Sequence, residues 1–263
     1  MQLSFEFFLR QMASVERILW TVTFAAQLVL LVVLLGRDRA RRYPWFTASI
    51  ALSALQLMAE VLLTGRMANL PLQEILFTLR DLGVIAGLLV LVEMARAAFA
   101  GVQRSTFLVN TAGVLLAAGG LLTVMGPWPV WKQLASLDMT MVRLYLMQLG
   151  AKKGDLLVAL LTIGLGVLVF LFGRHYKADW RSHTQSIVIG LFALAVSLLA
   201  FEVVVLRTLH FTQAEQASVM HLRFDFAFAH ELIYLAALVW WIVWLWRDEP
   251  GAAVAEETPQ AAE

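Results

Sequence analysis

Seven stretches of this chain are apolar for long enough to cross a lipid bilayer: Ile18–Leu35, Trp45–Leu63, Ile75–Ala98, Phe107–Met125, Leu156–Phe172, Gln185–Leu206 and Phe226–Trp246. A spanning helix needs roughly 17–25 mostly apolar residues. Hydrocarbon offers the backbone no hydrogen bonds, so each stretch must satisfy its own amides by coiling into a helix. The expected fold is therefore all-α: a polytopic integral membrane protein with a seven-helix transmembrane bundle over residues 1–246. Residues 247–263, rich in Ala, Glu and Pro, are expected to form a disordered acidic tail. Composition agrees, with 60% hydrophobic and 15% charged residues, whereas a soluble domain is about a quarter charged.

Net charge is +1, which argues against nucleic acid as a partner. The chain has no cysteine, so disulfides, thiolate metal sites and cysteine nucleophiles are excluded. Glu6 and Glu16 interrupt the first twenty residues, and no cleaved signal peptide is expected. No cofactor is implied, and the lipid bilayer is the first partner the sequence requires.

Arg and Lys in short loops set orientation. Arg37, Arg39, Arg41 and Arg42 follow the first span, Arg96 and Arg104 flank the third loop, and Arg174, Lys177 and Arg181 occupy the fifth. All three loops fall on one side, assigned here to the cytoplasm, with the cell membrane as the expected location. The amino terminus is then outside and the carboxyl terminus inside. Trp20, Trp45, Trp128, Trp180 and the run Trp240, Trp241, Trp244 and Trp246 are expected to anchor helix ends at the interfaces. Between the fourth and fifth spans, Lys132, Ser136, Thr140 and Arg143 form one polar stripe. Residues 131–149 are accordingly expected to lie along the outer surface as an amphipathic helix.

A shift of 137 residues superposes Gly36-Arg37 on Gly173-Arg174, Thr47 on Thr184 and Ser49-Ile50 on Ser186-Ile187. Leu79-Arg80-Asp81 and Leu222-Arg223-Phe224-Asp225 open the third and seventh spans in a similar way, at a shift of 143. This pattern suggests a 3+1+3 parallel repeat. The plan resembles that of the sugar transporters called SWEETs and the wider PQ-loop family. Their hallmark Pro-Gln pair has no counterpart: Ile18–Leu35 contains Gln27 but no proline, and Leu156–Phe172 contains neither. No functional residue is carried over from that family.

Charges within spans are costly, so each needs a reason. Glu60, Arg80, Asp81, Glu202, Arg223, His230 and Glu231 crowd the outer half of the second, third, sixth and seventh spans and form the candidate ligand-binding set. Arg207, His210 and His221 are close enough to the interface for solvation to account for them. Glu60, Glu202, His230 and Glu231 are deeper and are expected to converge, with Arg80 or Arg223 as counter-charge. Glu93 and Arg96, spaced i, i+3, are expected to pair. Gly83 and Gly87, and the stripe Gly190, Ala193, Ser197 and Ala200, are expected packing seams; Gln27, Gln56 and Asn110 are expected interhelical hydrogen-bonders. No His-x-x-x-His or His-Glu-x-x-His is present, which disfavours a metal-dependent hydrolase. All four lysines fall in expected loops, which disfavours a retinal Schiff base. Together these residues favour a small-molecule binding or sensory module with an outward-facing polar pocket and no catalytic residues. Such a module would signal to a membrane or cytoplasmic protein partner. A 3+1+3 small-solute transporter and an accessory membrane subunit are the alternatives.

Overall fold

The computed structural model describes residues 2–64, 66–99, 104–124, 128, 138–172, 183–208 and 216–248. Side chains are described throughout these except at 2–16, 104–110, 112, 171–172, 206–208 and 216–223. Among the described residues every regular element is a helix: α1 Gln2–Gly36, α2 Arg39–Arg42, α3 Pro44–Leu63, α4 Asn69–Ala98, α5 Arg104–Val124, α6 Met139–Phe172, α7 His183–Thr208 and α8 Gln216–Trp246. Six carry segments long and apolar enough to cross a membrane: Arg17–Gly36, Pro44–Leu63, Asn69–Ala98, Met139–Phe170, His183–Val205 and Phe224–Trp246. The seventh, α5, contributes the shorter apolar run Gly113–Val124. The chain is a helical membrane bundle.

The six long helices close a ring. α1 packs on α3, α3 on α4, α4 on α6, α6 on α7, α7 on α8, and α8 returns to α1, while α5 lies outside against α6. Contacts fix the directions. Gln27 meets Tyr234 and Arg37 meets Asp248, so α1 and α8 run parallel. Arg80 meets Asp155, and Gly87 lies against Val158, so α4 and α6 also run parallel. The other ring neighbours are antiparallel. Advancing three places round the ring carries α1, α3 and α4 onto α6, α7 and α8 with their directions kept, although the further contact between α4 and α7 has no comparable counterpart between α8 and α3.

Local chemistry explains where elements begin. Asp38 turns the chain after α1 with φ 56°, a left-handed conformation that Asp tolerates better than most residues. Pro44 occupies the first turn of α3, where its missing N–H costs nothing. The next two amides of α3, Trp45 and Phe46, donate to Oε1 and Oε2 of Glu93 at 3.2 and 3.0 Å. Glu93 therefore caps a neighbouring helix instead of pairing with Arg96. Orphan amides at a helix N-terminus attract a carboxylate more strongly than an exposed i, i+3 partner does.

The apolar core lies towards the basic-loop end. Leu34, Tyr43, Phe46, Met94, Ile187, Trp241 and Leu245 are almost fully buried there. Phe46 meets Trp241 edge-on, with centroids 5.0 Å apart. Trp241 is thus a core residue at 1% exposure, not an interfacial anchor; Trp246, at 56%, remains peripheral. Gly190 makes the difference, because the Trp241 indole occupies the space where its side chain would be. Only part of each expected small-residue seam is used. Gly87 lies against Val158 whereas Gly83 faces open space, and Gly190 and Ser197 face α8 whereas Ala193 and Ala200 are exposed.

The described part of residues 131–149 is not a separate surface helix. Residues 129–137 lie outside the described set, and Met139–Leu149 is the first part of the continuous helix α6. At 1.5 Å per residue α6 runs about 50 Å, longer than the ~30 Å hydrocarbon layer. Lys152 and Lys153, expected in a loop, are inside it. The residues that resembled a polar linker have partners on adjacent helices: Arg143 pairs with Glu74, and Lys153 donates to the carbonyl of Leu122 at 3.1 Å.

A methyl group at position 190 would lie 2.6 Å from Trp241 Cε2. Gly190→Ala should therefore lower stability by about 1–3 kcal/mol, measured by thermal unfolding in detergent. Gly83→Ala should be neutral or slightly stabilising.

Candidate functional site

A cavity of about 450 Å³ opens between α1, α3 and α8, in the half of the bundle away from the basic loops. Each helix turns a polar stripe towards it. Thr23 and Gln27 are spaced i, i+4 on α1; Ser53, Gln56 and Glu60 are spaced i, i+3, i+7 on α3; His230 and Tyr234 are spaced i, i+4 on α8, with Glu231 alongside. Trp20, Leu19 and Leu57 complete the wall. Trp20 stacks on Phe24 with centroids 6.0 Å apart, so it lines a pocket as well as marking a helix end.

Hydrogen bonds hold several of these side chains. Gln27 Nε2 donates to the Tyr234 hydroxyl at 2.8 Å, and Ser53 donates to the Ser49 carbonyl at 3.0 Å. His230 Nδ1 lies 2.7 Å from Ser197 Oγ, which donates to the Leu194 carbonyl at 2.8 Å. Thr23 and Gln27 are 3% and 1% exposed, yet Thr23 Oγ1 and Gln27 Oε1 have no hydrogen-bond partner among the described residues. Buried polar atoms are normally satisfied, so two orphans bordering one cavity mark it as a place for water or a ligand.

Of the residues singled out from sequence, Glu60, His230 and Glu231 meet at this cavity. Glu202, Arg80 and Asp81 belong to a second polar cluster on α4, α6 and α7. Glu202 is buried and faces Lys152 Nζ at 3.2 Å. Arg80 Nε and Nη2 both donate to Asp155 Oδ2, at 2.8 and 2.6 Å. Asp81 and Glu202 both act electrostatically on Asp155. Arg80 is therefore the counter-charge of Asp155 and not of the cavity carboxylates. The side chains of Arg223, Arg207, His221 and Asn110, and all of His210, lie outside the described residues.

Sequence reading overlooked Asp155 and Lys152 because the run Lys152-Lys153-Gly154-Asp155 reads as a loop when no partner is visible. It also missed Thr23 and Ser53 in the pocket, whereas Tyr234 shares a helical stripe with His230 in the sequence. Their spacing of one or two turns on otherwise apolar helices was the available signal. No group of three His, Asp or Glu among the described residues is close enough to hold a metal ion. The chain matches no protein-family model, no curated protein and no solved structure with which it was compared.

The Lys152–Glu202 pair yields a direct test. Lys152→Met leaves a buried carboxylate without its partner and should lower unfolding stability by about 3 kcal/mol. Lys152→Met combined with Glu202→Met should recover most of that loss in a denaturant titration of the purified protein.

Proposed function

We propose that the chain is a membrane-embedded binding or sensory module whose cavity among α1, α3 and α8 takes a small molecule. The supporting observation is the pair of buried, unpartnered polar atoms, the Thr23 hydroxyl and Gln27 Oε1, on the wall of a polar cavity. Ligand sites are concave and carry a few convergent polar groups on an apolar frame. The positive-inside rule assigns the Arg37–Arg42 side to the cytoplasm, so the cavity faces outward, with the amino terminus outside and the carboxyl terminus inside. Occupancy of the cavity would bias the contact between α1 and α8. Those helices end together at the basic loops, where Arg37 pairs with Asp248 at 3.1 Å and stacks on Trp246 at 5.0 Å. A membrane or cytoplasmic protein partner would read that end.

The ring order favours one second reading, a 3+1+3 transporter. Buried polar groups also occur in the other half, where the Tyr43 hydroxyl meets Thr184 Oγ1 at 2.9 Å. Transport would appear as solute accumulation in proteoliposomes, which a binding module does not produce.

The native chain has no cysteine, so single-cysteine variants report cleanly. Gln56→Cys, in the cavity, should react with a membrane-impermeant thiol reagent added from outside. Leu55→Cys, 45% exposed on the outer surface of the bundle, should face lipid and stay unreactive. A reporter fused after Glu263 should be active in the cytoplasm. Equal reactivity of the two cysteines, or protection of both, would refute a water-filled site.

A further inference from the structure

We infer that a groove between α4, α5 and α6 binds an anionic phospholipid, with an acyl chain in the groove and the headgroup phosphate on Arg96. The groove encloses about 420 Å³ and lies across the ring from the cavity among α1, α3 and α8. It exists because α5 packs against α6 but has no comparable contact with α4 among the described residues. Leu91 and Leu165 are buried at its floor, while Val92 on α4 and Leu115 on α5 are exposed at its sides.

The dimensions match one leaflet. On α4 the groove runs from Leu88 to Phe99. That stretch is about 16 Å long at 1.5 Å per residue, and half of the hydrocarbon layer is ~15 Å. On α6 the lining residues, Leu161 to Leu168, lie about one to three turns before the helix end at Phe172. The groove therefore belongs to the leaflet on the basic-loop side.

Arg96 gives the groove its sign. It is exposed in the last turn of α4, at headgroup level. Glu93, one turn earlier, is engaged by the amides of Trp45 and Phe46 on α3 and does not neutralise it. Arg96 has no ion-pair partner among the described residues. No Asp or Glu is among the lining residues, and Thr111 is the one other polar side chain there. Arg104 heads α5 on the same membrane face. An apolar slot one leaflet deep, with a guanidinium at its headgroup end, is complementary to a lipid that is apolar along its length and anionic at its head. A zwitterionic lipid would bring its own cation against Arg96, and a soluble anion would leave the slot unfilled.

The test uses full-length protein in phosphatidylcholine nanodiscs, into which phosphatidylglycerol with the same acyl chains is titrated. The melting temperature should rise and saturate at a low mole fraction, and native mass spectrometry should retain phosphatidylglycerol in preference to phosphatidylcholine. Arg96→Gln should weaken the apparent affinity about fivefold, the effect of one basic residue at the membrane surface. Arg41→Gln removes an exposed charge on the same face but outside the groove, and should leave the response unchanged. Leu115→Trp and Val92→Trp narrow the groove while Arg96 stays in place, and each should reduce the preference for phosphatidylglycerol. Each variant's melting temperature in pure phosphatidylcholine is the folding control, and the exposure of all four positions favours folding. A melting temperature indifferent to phosphatidylglycerol overturns the inference. Equal weakening by Arg41→Gln and Arg96→Gln also overturns it, since the attraction would then be a diffuse surface charge. An undiminished response in both Trp variants would remove the groove as the place where the chain lies.

Discussion

The contact between the first and last long helices is what makes this bundle a ring. Without it, α1 through α8 would form an open arc. Gln27 and Tyr234 tie the two helices near the middle of the membrane, and Arg37 with Asp248 ties them at the basic face. Between these points the helices are held at both levels. Beyond the Gln27–Tyr234 tie the cavity lies between these two helices and α3. The same bond that closes the ring turns the Gln27 amide so that its oxygen borders the pocket.

Hydrocarbon gives a polar group no alternative partner, so each buried polar group must find one within the protein. The bundle meets this demand across helices and over long sequence separations. Glu93 satisfies the first amides of α3, Asp155 engages Arg80, and Glu202 faces Lys152. These contacts weld the α4–α6–α7 side. The cavity side retains the Thr23 hydroxyl and Gln27 Oε1 without hydrogen-bond partners among the described residues.

Much of the architecture was legible in the sequence because length and hydropathy are local properties. The first two spans match the observed membrane-crossing helices to within a residue or two. Pairing is not local. Glu93 has an obvious neighbour in Arg96, and nothing nearby in sequence reveals the exposed amides of Trp45 and Phe46. Trp241 looks like its neighbours Trp240 and Trp244, and only the absent side chain of Gly190, on another helix, puts it in the core. Lys152 and Asp155 read as loop residues until Glu202 and Arg80 are placed beside them. For the site, Glu60, His230 and Glu231 were visible as costly charges. Thr23 and Ser53 were not, since a hydroxyl in a spanning helix is readily explained as a bond to its own backbone.

The position of α5 has a consequence for how the two halves are joined. Since α4 and α6 lie side by side and run the same way, the chain must cross back between them, and α5 makes that return outside the ring. It rests against α6, where Val114 fills the space beside Gly164. The ring's closure therefore does not depend on covalent continuity through α5. A chain cut within this return leg would keep every interface of the ring, and its two fragments would have the complementary edges needed to reassemble as a heterodimer.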